Sequence, residues 1–254
     1  MKDIEIVTIK DISLKNPIMI EGLPGVGHVG KLVAEHMIEE LEAEKIMEIY
    51  SPHFPPQVLV MNDGSVRLVQ NEIYAWKSEN VDLLLLVGDY QSATNMGHYI
   101  LTEAFLDIAQ KLDVKRIYTL GGYGIGQLVE VQTVLGAVND VNLIEEMNSY
   151  GVEFKENEPG GGIVGVSGLL LGMAKKRDIE AVCLMGLTSG YLVDPKSAQA
   201  VLKVLCQALG IEVDMLALEE RAKEMEKIVA KIQEMETVKM PQDTGMEEGV
   251  GYIR

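Results

Sequence analysis

Leu83-Leu84-Leu85-Leu86-Val87 carries five apolar residues in succession and is followed at once by Gly88-Asp89-Tyr90-Gln91. A run with no polar face suits a central parallel strand, covered on both sides and ending in a turn. Ile18-Met19-Ile20, Ile46 to Tyr50, Ile117 to Leu120 and Ala181 to Met185 read as further strands. Amphipathic stretches separate them. Ile100, Ala104, Phe105, Ile108 and Leu112 share one helical face, as do Ala198, Val201, Leu202, Leu205 and Leu209 after a helix start at Asp194-Pro195. Strand and helix in repeated order predict an α/β fold, a three-layer αβα sandwich around a mostly parallel or mixed sheet. Val58 to Met61 and Val66 to Ile73 flank Asn62-Asp63-Gly64-Ser65, a turn-forming cluster that predicts a hairpin. No internal repeat is visible.

The chain has 254 residues, 47% hydrophobic and 24% charged, with 22 Lys+Arg against 39 Asp+Glu. This balance builds a globular core and excludes global disorder. A net charge of −17 argues against nucleic acid, whose phosphates need clustered cations, and against an anionic membrane surface. The longest uncharged run, Pro159 to Ala174, is too short for a bilayer and holds six glycines. The opening residues lack the apolar core of an export signal. Cys183 and Cys206 stand far apart inside apolar patterns and read as free buried thiols. A cytoplasmic location follows as the expectation.

The densest motif is Gly22-Leu23-Pro24-Gly25-Val26-Gly27-His28-Val29-Gly30-Lys31. Gly25, Gly27 and Gly30 fit a dinucleotide fingerprint, with Glu48 near the place of the ribose-binding acid. Gly25, Gly30 and Lys31 also fit most of a phosphate loop, but Leu32 stands where a magnesium-binding hydroxyl belongs. The plainer reading is a tight strand-to-helix turn whose glycines permit close packing. Together with Asp89 and Gln91 these loops form a candidate ligand site at one edge of the sheet. None of the five arginines lies in the glycine loops, which disfavours phosphate chemistry. His28 and His98 lie near loops or helix starts, without a Ser, Cys or Asp beside them in a nucleophile pattern. No close His/Cys cluster suggests a metal, and no cofactor or catalytic residue is assigned. Ser51-Pro52-His53-Phe54-Pro55-Pro56 is a stiff segment, either a connector or a contact surface.

Three divisions are expected: a core domain over 1–213, an amphipathic helix over 214–236 and a flexible tail over 237–254. In the helix Met215, Leu218, Ala222, Met225, Val229 and Ile232 step by 3 and 4, the spacing of a coiled-coil seam. The seam packs on its own domain or pairs with another subunit.

Gly22-Leu23-Pro24-Gly25-Val26-Gly27, Gly88-Asp89-Tyr90-Gln91, the Gly121-Gly122-Tyr123 loop, and Gly160-Gly161-Gly162 followed by Ile163 to Gly172 come in a distinctive order. In these motifs, over roughly residues 10–235, the chain resembles the archaeal proteasome assembly chaperones, related to the second eukaryotic assembly chaperone. The resemblance implies a nucleoside phosphorylase-like fold without the phosphorylase catalytic residues. It implies a homo-oligomer, a tetramer in preference to a trimer, that binds proteasome alpha subunits through its C-terminal tail. There Val250, Tyr252, Ile253 and Arg254 approximate a hydrophobic–tyrosine–any ending, with Tyr252 one place out of register. The reading from another class is a small-molecule enzyme of nucleoside phosphorylase or hydrolase type working in the glycine-loop cleft.

Leu32 carries a direct expectation. Without a hydroxyl for the metal, calorimetry with MgATP gives no heat above dilution; a micromolar dissociation constant that disappears in Lys31→Ala contradicts it.

Overall fold

The computed structural model describes residues 2–129, 132–156, 160, 162–225 and 227. In chain order the strands are β1 Glu5–Thr8, β2 Ile18–Glu21, β3 Glu44–Tyr50, β4 Val58–Val60, β5 Val66–Leu68, β6 Asn71–Trp76, β7 Leu83–Gly88, β8 Arg116–Gly124, β9 Val134–Val138, β10 Val152–Glu153 and β11 Glu180–Thr188. The helices are α1 Val29–Glu40, α2 Asn95–Lys111, α3 Leu143–Ser149, α4 Val166–Ala174 and α5 Pro195–Leu209. Among the described residues nine strands form one sheet in the order β1-β3-β6-β7-β2-β8-β11-β9-β10. Strands β7, β2, β8 and β11 run parallel at its centre. Antiparallel pairings of β1, β3 and β6 extend it on one side, and antiparallel β9 extends it on the other. The sheet is therefore mixed.

The leucine run occupies the centre, and Leu83 to Leu86 have no exposed surface. Side chains alternate across a strand. Leu84 and Leu86 join the core under α2 and α4, while Leu83 and Leu85 join the core under α1, α3 and α5. Met19, Ile117 and Cys183 face the first layer, and Ile20, Tyr118 and Val182 the second. Because β2 leads into α1 and β7 into α2, consecutive central strands send their helices to opposite faces. That reversal opens a crevice at the carboxyl ends of the strands.

Local chemistry sets the helix ends. Asp194 accepts a hydrogen bond from Ser197 N at 2.9 Å, Pro195 occupies the first turn of α5, and Gly210 closes it with φ of 65°. Thr94 caps α2 by accepting from Gly97 N at 3.0 Å. The second half of the expected hairpin divides. Val66–Leu68 pairs with β4, whereas Asn71–Trp76 leaves the turn and joins the main sheet between β3 and β7.

The segment that follows residue 213 packs back onto α1. His36 Nε2, buried on α1, lies 2.5 Å from the Asp214 carbonyl. Asp214 accepts from Leu216 N at 2.7 Å, and residues 216–225 are helical. Leu218 has no exposed surface and Met215 packs on the α1/α5 core. Leu218 is therefore covered within its own chain, as in the reading that packs the seam on its own domain. Met225 is half-buried, and Val229 and Ile232 lie outside the described residues.

Two glycines separate steric need from backbone tolerance. A Cβ on Gly30 would stand 2.2 Å from the Leu120 carbonyl oxygen, whereas one on Gly172 meets nothing within 4 Å. Alanine is favoured over glycine in helices by about 1 kcal/mol. Gly172→Ala should therefore raise Tm slightly in calorimetry. Gly30→Ala should lower it, as overpacking of roughly 1–3 kcal/mol outweighs the helical gain.

Candidate functional site

The glycine loop after β2 is first a packing device. Gly22 donates its N–H to the Leu86 carbonyl at 2.9 Å, and a Cβ on it would stand 2.4 Å from Ala34 Cβ. Gly27 has φ of 61° and lies against Thr188. His28 follows in the left-handed region at φ 51° and is exposed. These constraints favour the close-packing account of Gly22, Gly27 and Gly30. Gly25 stands apart, extended and with open space where a Cβ would go.

The remaining candidates separate into two hollows. A shallow one is lined by Pro24, Gly25, His28, Lys31, Leu59 and Asp89. There Lys31 Nζ donates to the Gly88 carbonyl at 3.2 Å and lies 3.4 Å from Glu35. Asp89 takes both arms of the Arg67 guanidinium, at 2.6 and 2.8 Å, and the Gln70 N–H at 3.0 Å. Arg67 thus holds the Asp89 carboxyl below its ordinary pKa, against the opposing effect of burial. No arginine lies within the glycine loops, yet one reaches them from elsewhere in the fold. Arg67 is distant in sequence, but β5 delivers it to the end of β7.

The second hollow is a cleft of about 550 Å³ on the α2/α4 side, at the carboxyl ends of β2, β8 and β11. Gly121 to Gly124 form one wall, Gly162 to Gly165 another, and Leu23, Leu120 and Met185 add apolar surface. Gln91 lines it but is already engaged, donating to the Pro24 carbonyl at 2.8 Å and accepting from Val166 N at 3.0 Å. His98 lines it too, and burial lowers its pKa, favouring the neutral ring. Ser167 and Cys183 stand at its base. Of the sequence candidates, Lys31 and Asp89 gather at the shallow hollow, Gln91 at the deep one, and Gly25 borders both.

Beneath Ser167 lies Glu21, a residue the motif reading passes over. It ends β2 on the same face as Met19 and has no exposed surface. Its Oε1 accepts from Leu23 N at 3.0 Å and its Oε2 from Ser167 Oγ at 2.8 Å. Burial pushes its pKa up to about 7, against these two hydrogen bonds. The signal in the sequence is a single charge closing the apolar run Ile18-Met19-Ile20, directly before Gly22. Glu48, by contrast, belongs to the polar face of β3, bonded to Lys45 at 3.2 Å and Tyr50 at 2.9 Å. Both cysteines are buried and free, and burial raises the Cys183 thiol to about 12 and Cys206 to about 11. Among the described residues no three His, Cys, Asp or Glu gather as a metal site. Nor is any described helix long and apolar enough to cross a membrane.

A third feature is a surface. In the β4–β5 hairpin Val58 stands opposite Leu68 and Val60 opposite Val66, so all four share a face. They are 48%, 53%, 73% and 62% exposed, which leaves that face without cover among the described residues. Leu59 and Arg67 form the other face and anchor the hairpin to the body. Beside it a groove of about 500 Å³ runs along Tyr50, Pro52, Phe54, Pro55 and Val69. The stiff proline segment thus flanks an apolar surface.

Residues 19–233 match the PAC2 family. The chain belongs to the PAC2 family. A relative, the uncharacterized protein MJ1210 of Methanocaldococcus jannaschii, is 42% identical over 236 residues, 92% of this chain and 90% of its own. The crystal structure of Pyrococcus furiosus PbaB, described as an archaeal proteasome activator, superposes with a TM-score of 0.87 at 44% identity. It covers 92% of this chain and 100% of that one. Pyrococcus furiosus PbaA, described as an archaeal homolog of proteasome-assembly chaperone, gives 0.76 at 26% identity over 93% and 94% of the two chains. The similarity to archaeal assembly chaperones read from the glycine loops therefore holds at the level of family.

Glu21 makes stability depend on pH. Its folded pKa lies above 4.5, so its stabilising share is fully present below the unfolded value and is lost as pH rises toward and through about 7. The span from 4.5 to about 7 corresponds to roughly 3 kcal/mol. Chemical denaturation from pH 4.5 to 8 should show stability falling by an amount of this order, and Glu21→Gln should remove that component.

Proposed function

We propose that this protein is a non-enzymatic proteasome chaperone or adaptor, a cytoplasmic homo-oligomer that engages proteasome alpha subunits through its C-terminal tail. The observation that carries this reading is the apolar hairpin face. Four aliphatic side chains aligned on one side of a ribbon, beside a proline-lined groove, form a contiguous patch of the kind that marks protein interaction. The 44% identity to a protein described as a proteasome activator supports the choice of partner.

In this reading the folded body presents the tail. Val250, Tyr252, Ile253 and Arg254 lie outside the described residues. The tail's terminal carboxylate pairs with a lysine between alpha subunits, while the tyrosine ring buries apolar area and keeps a hydrogen bond for its hydroxyl. A tetramer, preferred over a trimer, offers several tails at once and gains avidity from weak individual contacts. Met215, Met225, Val229 and Ile232 contribute to the subunit interface, with Leu218 serving the interior of its own chain.

The alternative, a nucleoside phosphorylase or hydrolase, draws on the cleft and on the fold that the family resemblance implies. No Lys or Arg lines the cleft among the described residues, which argues against a phosphate co-substrate.

Deletion of Tyr252 to Arg254 tests the tail. Surface plasmon resonance on immobilised alpha-subunit rings should show at least a tenfold loss of affinity, about 1.4 kcal/mol, with the oligomer's mass unchanged in light scattering. Equal affinity for the truncated protein ends the tail assignment.

A further inference from the structure

The cleft over Glu21 has an electrostatic imbalance that the chaperone reading does not use. Glu21 is completely buried, and both its oxygens act as acceptors, one for Leu23 N–H and one for the Ser167 hydroxyl. In the ionised form both oxygens accept; a protonated acid instead donates to Ser167 Oγ across the same 2.8 Å, so a charge brought to the cleft decides between the two. Yet no Lys, Arg or His among the described residues makes an ion pair with it. Buried carboxylates are ordinarily paired, because the cost of leaving water is otherwise uncompensated. The raised pKa expresses the same missing partner.

The groups around it do not supply a charge. From β11 the Cys183 thiol faces Glu21, with its pKa driven up by burial, so it stays neutral. From β8 comes the hydroxyl of Thr119 and from α4 that of Ser167, while the imidazole of His98 on α2, its pKa lowered by burial, lines the same cleft. Ser167 lines the open cleft, and over an ionised Glu21 it spends its only proton on the carboxylate, so its lone pairs remain as acceptors. A ligand that meets Ser167 must bring a donor. The walls, formed by Leu23, Leu120, Ile163, Met185 and glycine backbone, favour a compact apolar body.

We propose that this cleft binds a small primary-amine ligand, an ammonium group on a compact apolar body, with the ammonium donating to Ser167 Oγ above the Glu21 carboxylate. The N-terminus of α4 opposes a cation with the equivalent of about half a charge. Its first N–H is already taken by Gln91 Oε1, while Glu21 offers a full unit charge one hydroxyl away. The cation completes the ion pair that the fold lacks. Its arrival draws Glu21 toward the ionised form and releases a proton near neutral pH. The site is independent of the tail and of any proteasome contact.

Three probes of one shape and different head group test it on the full chain: benzylamine, benzyl alcohol and benzoate. Titration calorimetry near pH 7 should show benzylamine binding at least tenfold more tightly than benzyl alcohol, with no measurable heat from benzoate. Benzylamine binding should release protons, seen as an enthalpy that depends on the buffer. Ser167→Ala and Glu21→Gln should each weaken benzylamine at least tenfold, with unfolding still cooperative, and Glu21→Gln should abolish the proton release. Equal affinity for the three probes overturns the proposal, as does no binding of any. Preference for benzoate overturns it too, because Ser167 then faces the cleft as a donor over a protonated Glu21. Undiminished benzylamine affinity in both folded variants places the amine elsewhere and equally overturns it.

Discussion

The closeness of α1 to the sheet governs this molecule. A helix normally keeps its distance from a strand by the thickness of a side chain. Here the bare Cα of Gly30 lies on the Leu120 carbonyl and the bare Cα of Gly22 against Ala34 and Gly30 itself. Interiors are packed to crystalline density, so this approach fixes the turn between Gly22 and Val29 within narrow limits. The turn in turn presents Leu23 N–H to Glu21 and the Pro24 carbonyl to Gln91. Gln91 then holds the first N–H of α4, and α4 delivers Ser167. A chain of contacts thus runs from one pair of glycines on the α1 face to the cleft on the opposite face.

The central parallel strands were legible in the sequence because they are covered on both sides and need no polar residue. β7 is the extreme case, and β2, β8 and β11 are similar. The flanking strands were harder for a physical reason. β6 alternates buried Asn71, Ile73 and Ala75 with half-buried Glu72, Tyr74 and Trp76, and its run continues almost directly from β5. Local pattern makes one long strand of them; the sheet divides them, because β3 and β7 supply two edges that only β6 can fill. β10, with two residues, carries too little pattern to be read at all.

The site was legible in its loops but not in its charges. The glycine clusters marked the correct edge of the sheet, since only glycine lets backbones meet so closely there. What they could not reveal is which distant side chains arrive. Arg67 lies on β5, yet it clasps Asp89 after β7. Ser167 opens α4, yet it bonds Glu21, which lies 146 positions away along the chain. Asp89 and Gln91 looked free in sequence because their partners are tertiary. The coiled-coil spacing after Met215 had the same ambiguity: Leu218 and Ala222 satisfy a seam, and both are buried within the chain itself.

The two cysteines give the molecule a chemical silence. Thiols react as thiolates, and burial holds Cys183 and Cys206 protonated far above neutral pH. Thiol-directed alkylating reagents therefore meet no exposed thiolate on the native fold. The surface is a blank background for thiol chemistry, on which one cysteine introduced by design can carry a dye, a spin label or a cross-linker without competition from the natural pair.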